Sequence, residues 1–69
     1  MDEISQKLGA NLKKIRLEKK KSQGDICRAL GVDRGYISNL ETGKRNPTLS
    51  TIKRIADALN VSVDRLLKL

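Results

Sequence analysis

Apolar side chains recur along this chain in steps of three and four, the spacing that lines one face of an α-helix. Ile4, Leu8, Leu12 and Ile15 form the first such stripe, predicting a helix that ends near Lys19. Ser22, with Asp25 three positions on, is an acidic relative of the capping box, so a second helix starts there and buries Ile26, Cys27 and Leu30. Gly31 stops it, as a left-handed C-terminal position favours, and Val32 can fold back against it. Asp33 then caps a third helix by accepting from the amide of Gly35 or Tyr36, and Tyr36, Ile37 and Leu40 supply its inward stripe.

The segment ETGKRNPTLS is rich in turn formers: Gly43 breaks the third helix and Pro47 keeps Asn46 extended. Thr48 or Ser50 can cap the next helix, where Leu49, Ile52, Ile55, Ala56 and Leu59 repeat with helical spacing. Asn60 ends it, and Ser62 opens a short last helix over Val63, Leu66 and Leu67. The pattern is five helices with no strand, repeat or low-complexity linker. A chain of 69 residues is expected to form one domain, residues 1–69, built on Leu, Ile and Val.

Charge adds a partner class. Fifteen Lys and Arg against eight Asp and Glu give a formal net charge of +7, a strong field that attracts a polyanion. The one cysteine, Cys27, cannot pair within the chain, and its apolar context suits a reducing compartment. No run reaches the ~20 apolar residues of a membrane span, and the opening MDEISQKLG is unlike a signal peptide, so a soluble, cytoplasmic protein is expected. With no histidine, no cysteine-rich metal set and no glycine-rich phosphate loop after a strand, no enzyme activity, catalytic residue, metal or cofactor is expected.

The third helix raises a further question, because Arg34, Gly35, Ser38 and Asn39 stand on the side away from its apolar stripe. A helix, a short glycine-containing turn and a second helix with polar residues outward, in a basic shell, is the layout of helix-turn-helix DNA readers. The chain resembles the phage-repressor and Cro-like helix-turn-helix proteins, the XRE family. The residues that carry the resemblance are Leu12, Ile15 and Arg16, SQGDICRALGV, Tyr36 and Ile37, Leu40 and Glu41, Gly43, Asn46 and Pro47, and IADALNVSVDRLL. It runs from about Leu8 to Leu67, with the motif at about 22–42. It implies an all-α, compact five-helix lambda-repressor-like DNA-binding domain.

The resemblance also implies roles. Arg34, Gly35, Ser38 and Asn39 occupy the positions that meet bases in the major groove. An arginine fork suits both acceptors of guanine and an asparagine amide suits adenine, so Arg34 and Asn39 are the expected base readers. Ser38 could equally meet a phosphate or water, and Gly35 either permits close approach of the backbone or is a neutral substitution. Gln23, at the start of the second helix, together with Thr42, Lys44, Arg45 and Asn46 in the loop after the third, corresponds to backbone-phosphate contacts. Lys19, Lys20 and Lys21 are either a second phosphate patch or solvated surface. Arg16 and Glu41 match a structural ion pair that fixes the reading helix on its scaffold.

Where the family commonly has glycine and then an apolar residue, this chain has Lys20 and Lys21, so an altered first turn is expected. The resemblance points to a transcriptional regulator, repressor-like, that binds an operator in double-stranded DNA as a homodimer. Val63, Leu66, Leu67 and Leu69 either pair across the two-fold axis or close the monomer core. An antitoxin and a restriction-modification controller subunit are the alternatives on the same fold. The polar outward face of the third helix favours DNA over a protein partner.

Overall fold

The computed structural model describes residues 3–68. It contains five helices, α1 (Glu3–Glu18), α2 (Gln23–Leu30), α3 (Arg34–Glu41), α4 (Leu49–Leu59) and α5 (Val63–Leu67), and no strand among the described residues. The boundaries are set by local chemistry at both ends of each element. Helices α2 to α5 begin after an extended N-cap, Ser22, Asp33, Thr48 and Ser62, whose side chain accepts from the amide of Asp25, Tyr36, Thr51 and Arg65 respectively. Of the alternatives open in the sequence, Asp33 therefore caps through Tyr36, and Thr48 rather than Ser50 caps α4.

At Ser22 the capping box is complete, with the Ser22 amide donating to Asp25 Oδ2 at 2.8 Å. That bond, first among its causes, holds the Asp25 carboxyl below the ordinary aspartate value of 3.8. The stabilisation is present above that ordinary value and is lost as pH falls through the depressed one.

Helices α1 to α4 all close in the same way. Lys20, Gly31, Gly43 and Asn60 adopt the left-handed conformation, with φ of 57°, 74°, 77° and 57°. The next amide in each case reaches five residues back: Lys21 to Arg16, Val32 to Cys27, Lys44 to Asn39 and Val61 to Ala56, at 2.9–3.1 Å. These are Schellman closures, and they explain why each helix stops one or two residues before its left-handed residue. The turn after α1, where Lys20 and Lys21 stand, thus closes as the other three do. Lys20 takes up a conformation that costs a side chain with a Cβ about 1–2 kcal/mol.

Leu12 and Ile15 of α1, Ile26, Cys27 and Leu30 of α2, Ile37 and Leu40 of α3, Ile52, Ile55, Ala56 and Leu59 of α4, and Leu66 of α5 form one buried cluster. Ile15, Ile26, Ile37, Leu59 and Leu66 are the largest fully enclosed side chains, each contributing about 1.5–3 kcal/mol by leaving water.

Two expected core residues lie outside this cluster. Ile4 is 66% exposed and Leu49 is 76% exposed. Ile4 sits at the rim of the buried face of α1, which runs through Ser5, Gly9, Leu12, Ile15 and Arg16 rather than along the apolar stripe alone. Leu49 is the first residue of α4, ahead of the turns that enter the core.

The small residues on α1 have a steric reason. A Cβ on Gly9 would lie 2.2 Å from the Leu40 carbonyl oxygen and 2.7 Å from that of Glu41. One on Gly43 would lie 2.9 Å from the Gln6 Cα. The backbones of α1 and the end of α3 are therefore in direct contact, and neither wall can yield as a flexible side chain could. Elsewhere side chains hold helix ends. Asn11 Nδ2 donates to the carbonyls of Arg65 and Leu66 at 2.9 and 2.7 Å, the Arg65 guanidinium pairs with Glu18, and Arg54 donates to the Leu30 carbonyl.

The C-terminal helix divides its apolar residues. Leu66 is 1% exposed and closes the monomer core, Val63 packs partly buried against it, and Leu67 is 39% exposed; Leu69 lies outside the described residues.

Gly9→Ala adds one methyl group yet should be strongly destabilising despite alanine's higher helix propensity, because α1 must move off α3. A loss of about 2 kcal/mol or more in urea denaturation followed by circular dichroism is expected.

Candidate nucleic-acid interface

The candidate face combines the N-terminus of α2, the outer side of α3 and residues 42–46. Along α3, positions 34 and 38 and positions 35 and 39 make adjacent rows at helical spacing. Arg34 and Asn39 are exposed and Ser38 is half-buried. The opposite side of the same helix carries Ile37 and Leu40, at 0% and 2% exposure. The apolar half anchors the helix while Arg34 and Asn39 remain in solvent.

Gly35 stands next to the cap. A Cβ there would come within 3.3 Å of the Asp33 Oδ1 that accepts from Tyr36, so a larger residue would crowd the carboxylate that starts the helix. This local reason is separate from any approach to a ligand.

Tyr36, expected to face inward, packs only partly against the core. Its ring carries the Arg45 guanidinium at 4.9 Å, a cation–π contact. Tyr36, Arg45, Asn39, Asp33, Gly35, Gly31 and Val32 line an open depression at the N-terminal end of α3. The sequence showed Tyr36 only as a member of an apolar stripe. As the sole aromatic residue in a basic chain, it carried the one signal available.

The remaining expected phosphate residues differ in how free they are. Lys44 is exposed with no side-chain partner among the described residues. Asn46 accepts from the Ser5 hydroxyl of α1 through Oδ1, and its Nδ2 donors have no partner among the described residues. Thr42 is exposed and bonded within its own helix: its hydroxyl donates to the carbonyls of Ser38 and Asn39 at 3.0 and 3.4 Å, and its amide donates to Ser38 at 3.1 Å. Both of its donors are thus engaged in closing α3, and a phosphate, which only accepts, would have to break one of those bonds.

Gln23 is tied inward at one atom. Its Nε2 donates at 3.0 Å to Oε1 of Glu41, itself 8% exposed. The same carboxylate receives Arg16 Nε at 2.6 Å and Arg16 Nη2 at 3.2 Å, a two-point pairing of a guanidinium that is also enclosed. Arg16 Nη1 then donates to the Lys21 carbonyl at 2.8 Å. The pair expected between α1 and α3 is present, and it extends to the first residue of α2 and to the turn before it. No buried side-chain nitrogen or oxygen is left without a partner among the described residues.

Charge on this surface is uneven. Glu3, Glu18, Asp25, Glu41 and Asp57 each neutralise a cation, Lys7, Arg65, Arg28, Arg16 and Lys53 respectively. Arg34 and Lys44 make no ion pair among the described residues, so their charges are left un-neutralised on the candidate face. Among the described residues no group of His, Cys, Asp and Glu is placed to hold a metal, and no helix is long and apolar enough to cross a membrane.

The family described as helix-turn-helix matches residues 12–66, which contain both motif helices and the buried ion pair. The chain belongs to that helix-turn-helix family, of the phage-repressor type. It is similar to the ImmF control region 10 kDa protein of Bacillus phage phi105, 40% identical over 60 residues that cover 87% of this chain and 67% of that protein. It is also similar to control protein C.MunI of a Mycoplasma species, 36% identical over 67 residues covering 96% and 90%. Among solved structures, the restriction-modification controller C.Esp1396I, crystallised as a tetramer with its natural 35-base-pair operator, superposes with a TM-score of 0.86 at 34% identity, over 99% of this chain and 90% of that one. The helix-turn-helix family is one of DNA-binding transcription regulators.

Glu41→Ala strands the Arg16 guanidinium and one Gln23 donor in a buried setting, so it should cost about 3–5 kcal/mol of folding stability. The double substitution Arg16→Met with Glu41→Leu, which removes both charges together, should cost less than Glu41→Ala alone. Urea unfolding of the three proteins measures the difference.

Proposed function

We infer that this helix-turn-helix protein is a sequence-specific regulator of transcription, which occupies an operator in duplex DNA through the major groove as a homodimer. The observation that carries the reading is the division of α3 into an enclosed apolar side and a side bearing exposed Arg34 and Asn39, mounted through a buried ion pair and surrounded by unpaired cations.

In this reading Arg34 pairs with the N7 and O6 acceptors of guanine and Asn39 with the donor and acceptor of adenine. Ser38 and Gly35 line the approach to the bases. Lys44, Arg45 and the Nδ2 of Asn46 bind backbone phosphates from the loop, and Gln23 does so from the start of α2 with its remaining amide hydrogen, helped by the positive end of the helix. Thr42 contributes by closing α3. These phosphate contacts set register and affinity, while Arg34 and Asn39 set preference.

One reading helix spans few base pairs, so a two-fold dimer reading half-sites about 34–36 Å apart supplies useful specificity. C.Esp1396I is a tetramer on its own operator. Exposed Leu67 is the apolar residue of α5 free to join a second copy. Residues 1–69 act as one DNA-binding unit, and the work is done in the cytoplasm without chemistry of its own.

Within this class a restriction-modification controller is favoured by one observation, the 90% coverage of C.MunI, a control protein of nearly the same extent. An antitoxin or adaptor role would call for an apolar outer side on α3. That side is polar.

Selection from a random duplex pool should yield a two-fold consensus, and an equal affinity for selected and scrambled duplex at physiological salt would overturn the reading. Arg34→Ala should relax preference at one base pair per half-site, at about 1–3 kcal/mol of discrimination. Lys44→Ala should weaken selected and scrambled duplexes alike and reduce the slope of log affinity against log salt by about one per bound subunit. Fluorescence anisotropy titrations over a salt series measure both.

A further inference from the structure

We propose that Lys20, at the close of α1, is a further contact to the DNA backbone, and that the turn before α2 holds it in place for a phosphate. The inference rests on the DNA-binding reading and extends the interface beyond α2, α3 and the loop after it.

Four observations carry it. Lys20 has φ of 57°, in the left-handed region. The one other non-glycine residue there among the described residues is Asn60, whose short amide side chain tolerates that conformation; a long lysine side chain gains nothing from it locally.

Second, the ammonium makes no return inside the protein. Lys19, Lys20 and Lys21 are all exposed, and none of the three has an ion pair or side-chain hydrogen bond among the described residues. The carboxylates nearest in sequence are already engaged, Glu18 by Arg65 at 2.7 Å and Asp25 by Arg28 at 2.6 Å and the Ser22 amide at 2.8 Å. Three adjacent like charges repel one another, and a polyanion relieves that repulsion where the protein does not.

Third, the turn is fixed. The Lys20 amide donates to Leu17 and the Lys21 amide to Arg16, both at 3.0 Å, while the Arg16 side chain grips the Lys21 carbonyl at 2.8 Å. Fourth, that same guanidinium is bound to Glu41 of α3, and Glu41 to Gln23. The main chain beside Lys20 is therefore linked through Arg16 to the reading helix, and Lys20 lies three residues before Gln23. The closing bonds account for a left-handed residue here but not for a lysine in place of a glycine, and that choice, with the repulsion among three lysines, is accounted for when the ammonium is used between molecules.

Lys20→Gly separates this use from structure, because glycine relieves the backbone while removing the charge. Its melting temperature should rise. Its affinity for the duplex selected by the wild-type protein should fall several-fold, its salt slope should shrink by about one per bound subunit, and its base preference should not change. Lys20→Ala should show the same losses in affinity and slope without the gain in melting temperature, and Lys20→Arg should keep both affinity and slope. Wild-type affinity and slope in Lys20→Gly, measured beside a wild-type protein that distinguishes selected from scrambled duplex, would overturn this inference alone. A wild-type protein without that distinction would overturn it together with the reading on which it rests.

Discussion

The arrangement of the molecule depends on one buried carboxylate. Glu41, the last residue of α3, accepts two bonds from the Arg16 guanidinium of α1 and one from Gln23 of α2, and Arg16 in turn holds the carbonyl of Lys21. Taking two charges out of water is costly, and only two-point geometry with every remaining donor satisfied offsets it. The condition is met here, since no buried side-chain polar atom lacks a partner among the described residues. In return the pair does what apolar contact alone does poorly: it is directional. An eight-residue helix is too short to persist by itself. Its apolar side fixes how deep it sits, whereas the bonds at Glu41 fix its rotation and its distance from α1.

The same end of α3 is where the main chains touch. Gly9 brings α1 onto the carbonyls of Leu40 and Glu41, Gly43 lets the chain pass Gln6, and Ser5 donates to Asn46 in the following loop. Removing side chains at Gly9 and Gly43 lets the loop of Lys44, Arg45 and Asn46 begin beside the first helix and close to the reading helix. The Schellman closure at Gly43, in which the Lys44 amide reaches Asn39, then sets the direction in which that loop leaves. Affinity and preference are thereby assigned to neighbouring elements with a common mount.

Electrostatics follow from how acidic residues are used. Those on α1, α2 and α4 neutralise a cation on their own helix or on a neighbour, and Asp33 is spent as a cap. Of the cations without an ion pair among the described residues, Arg34 lies on α3, Lys44 and Arg45 on its loop and Lys19, Lys20 and Lys21 at the turn before α2, while Lys13 and Lys14 of α1, Arg54 of α4 and Lys68 lie elsewhere.

The sequence by itself determined the helices and nearly all their limits, because those rest on interactions spanning three to five residues: the caps at Ser22, Asp33 and Ser62, a cap at Thr48 or Ser50 between which the structure chose, the left-handed stops at Gly31, Gly43 and Asn60, and most of the apolar stripe. It also carried the outward residues of α3, since a helical period places side chains on faces without further information. Only the tertiary structure decided that Ile4 and Leu49 stay in water while Ser5, Gly9 and Arg16 are enclosed, and that Gln23 bonds to Glu41. The reason is physical: local bonds are fixed by the order of residues along a few ångströms of chain, but which part of a helix is covered, and which polar group meets which, depends on where a second helix comes to rest.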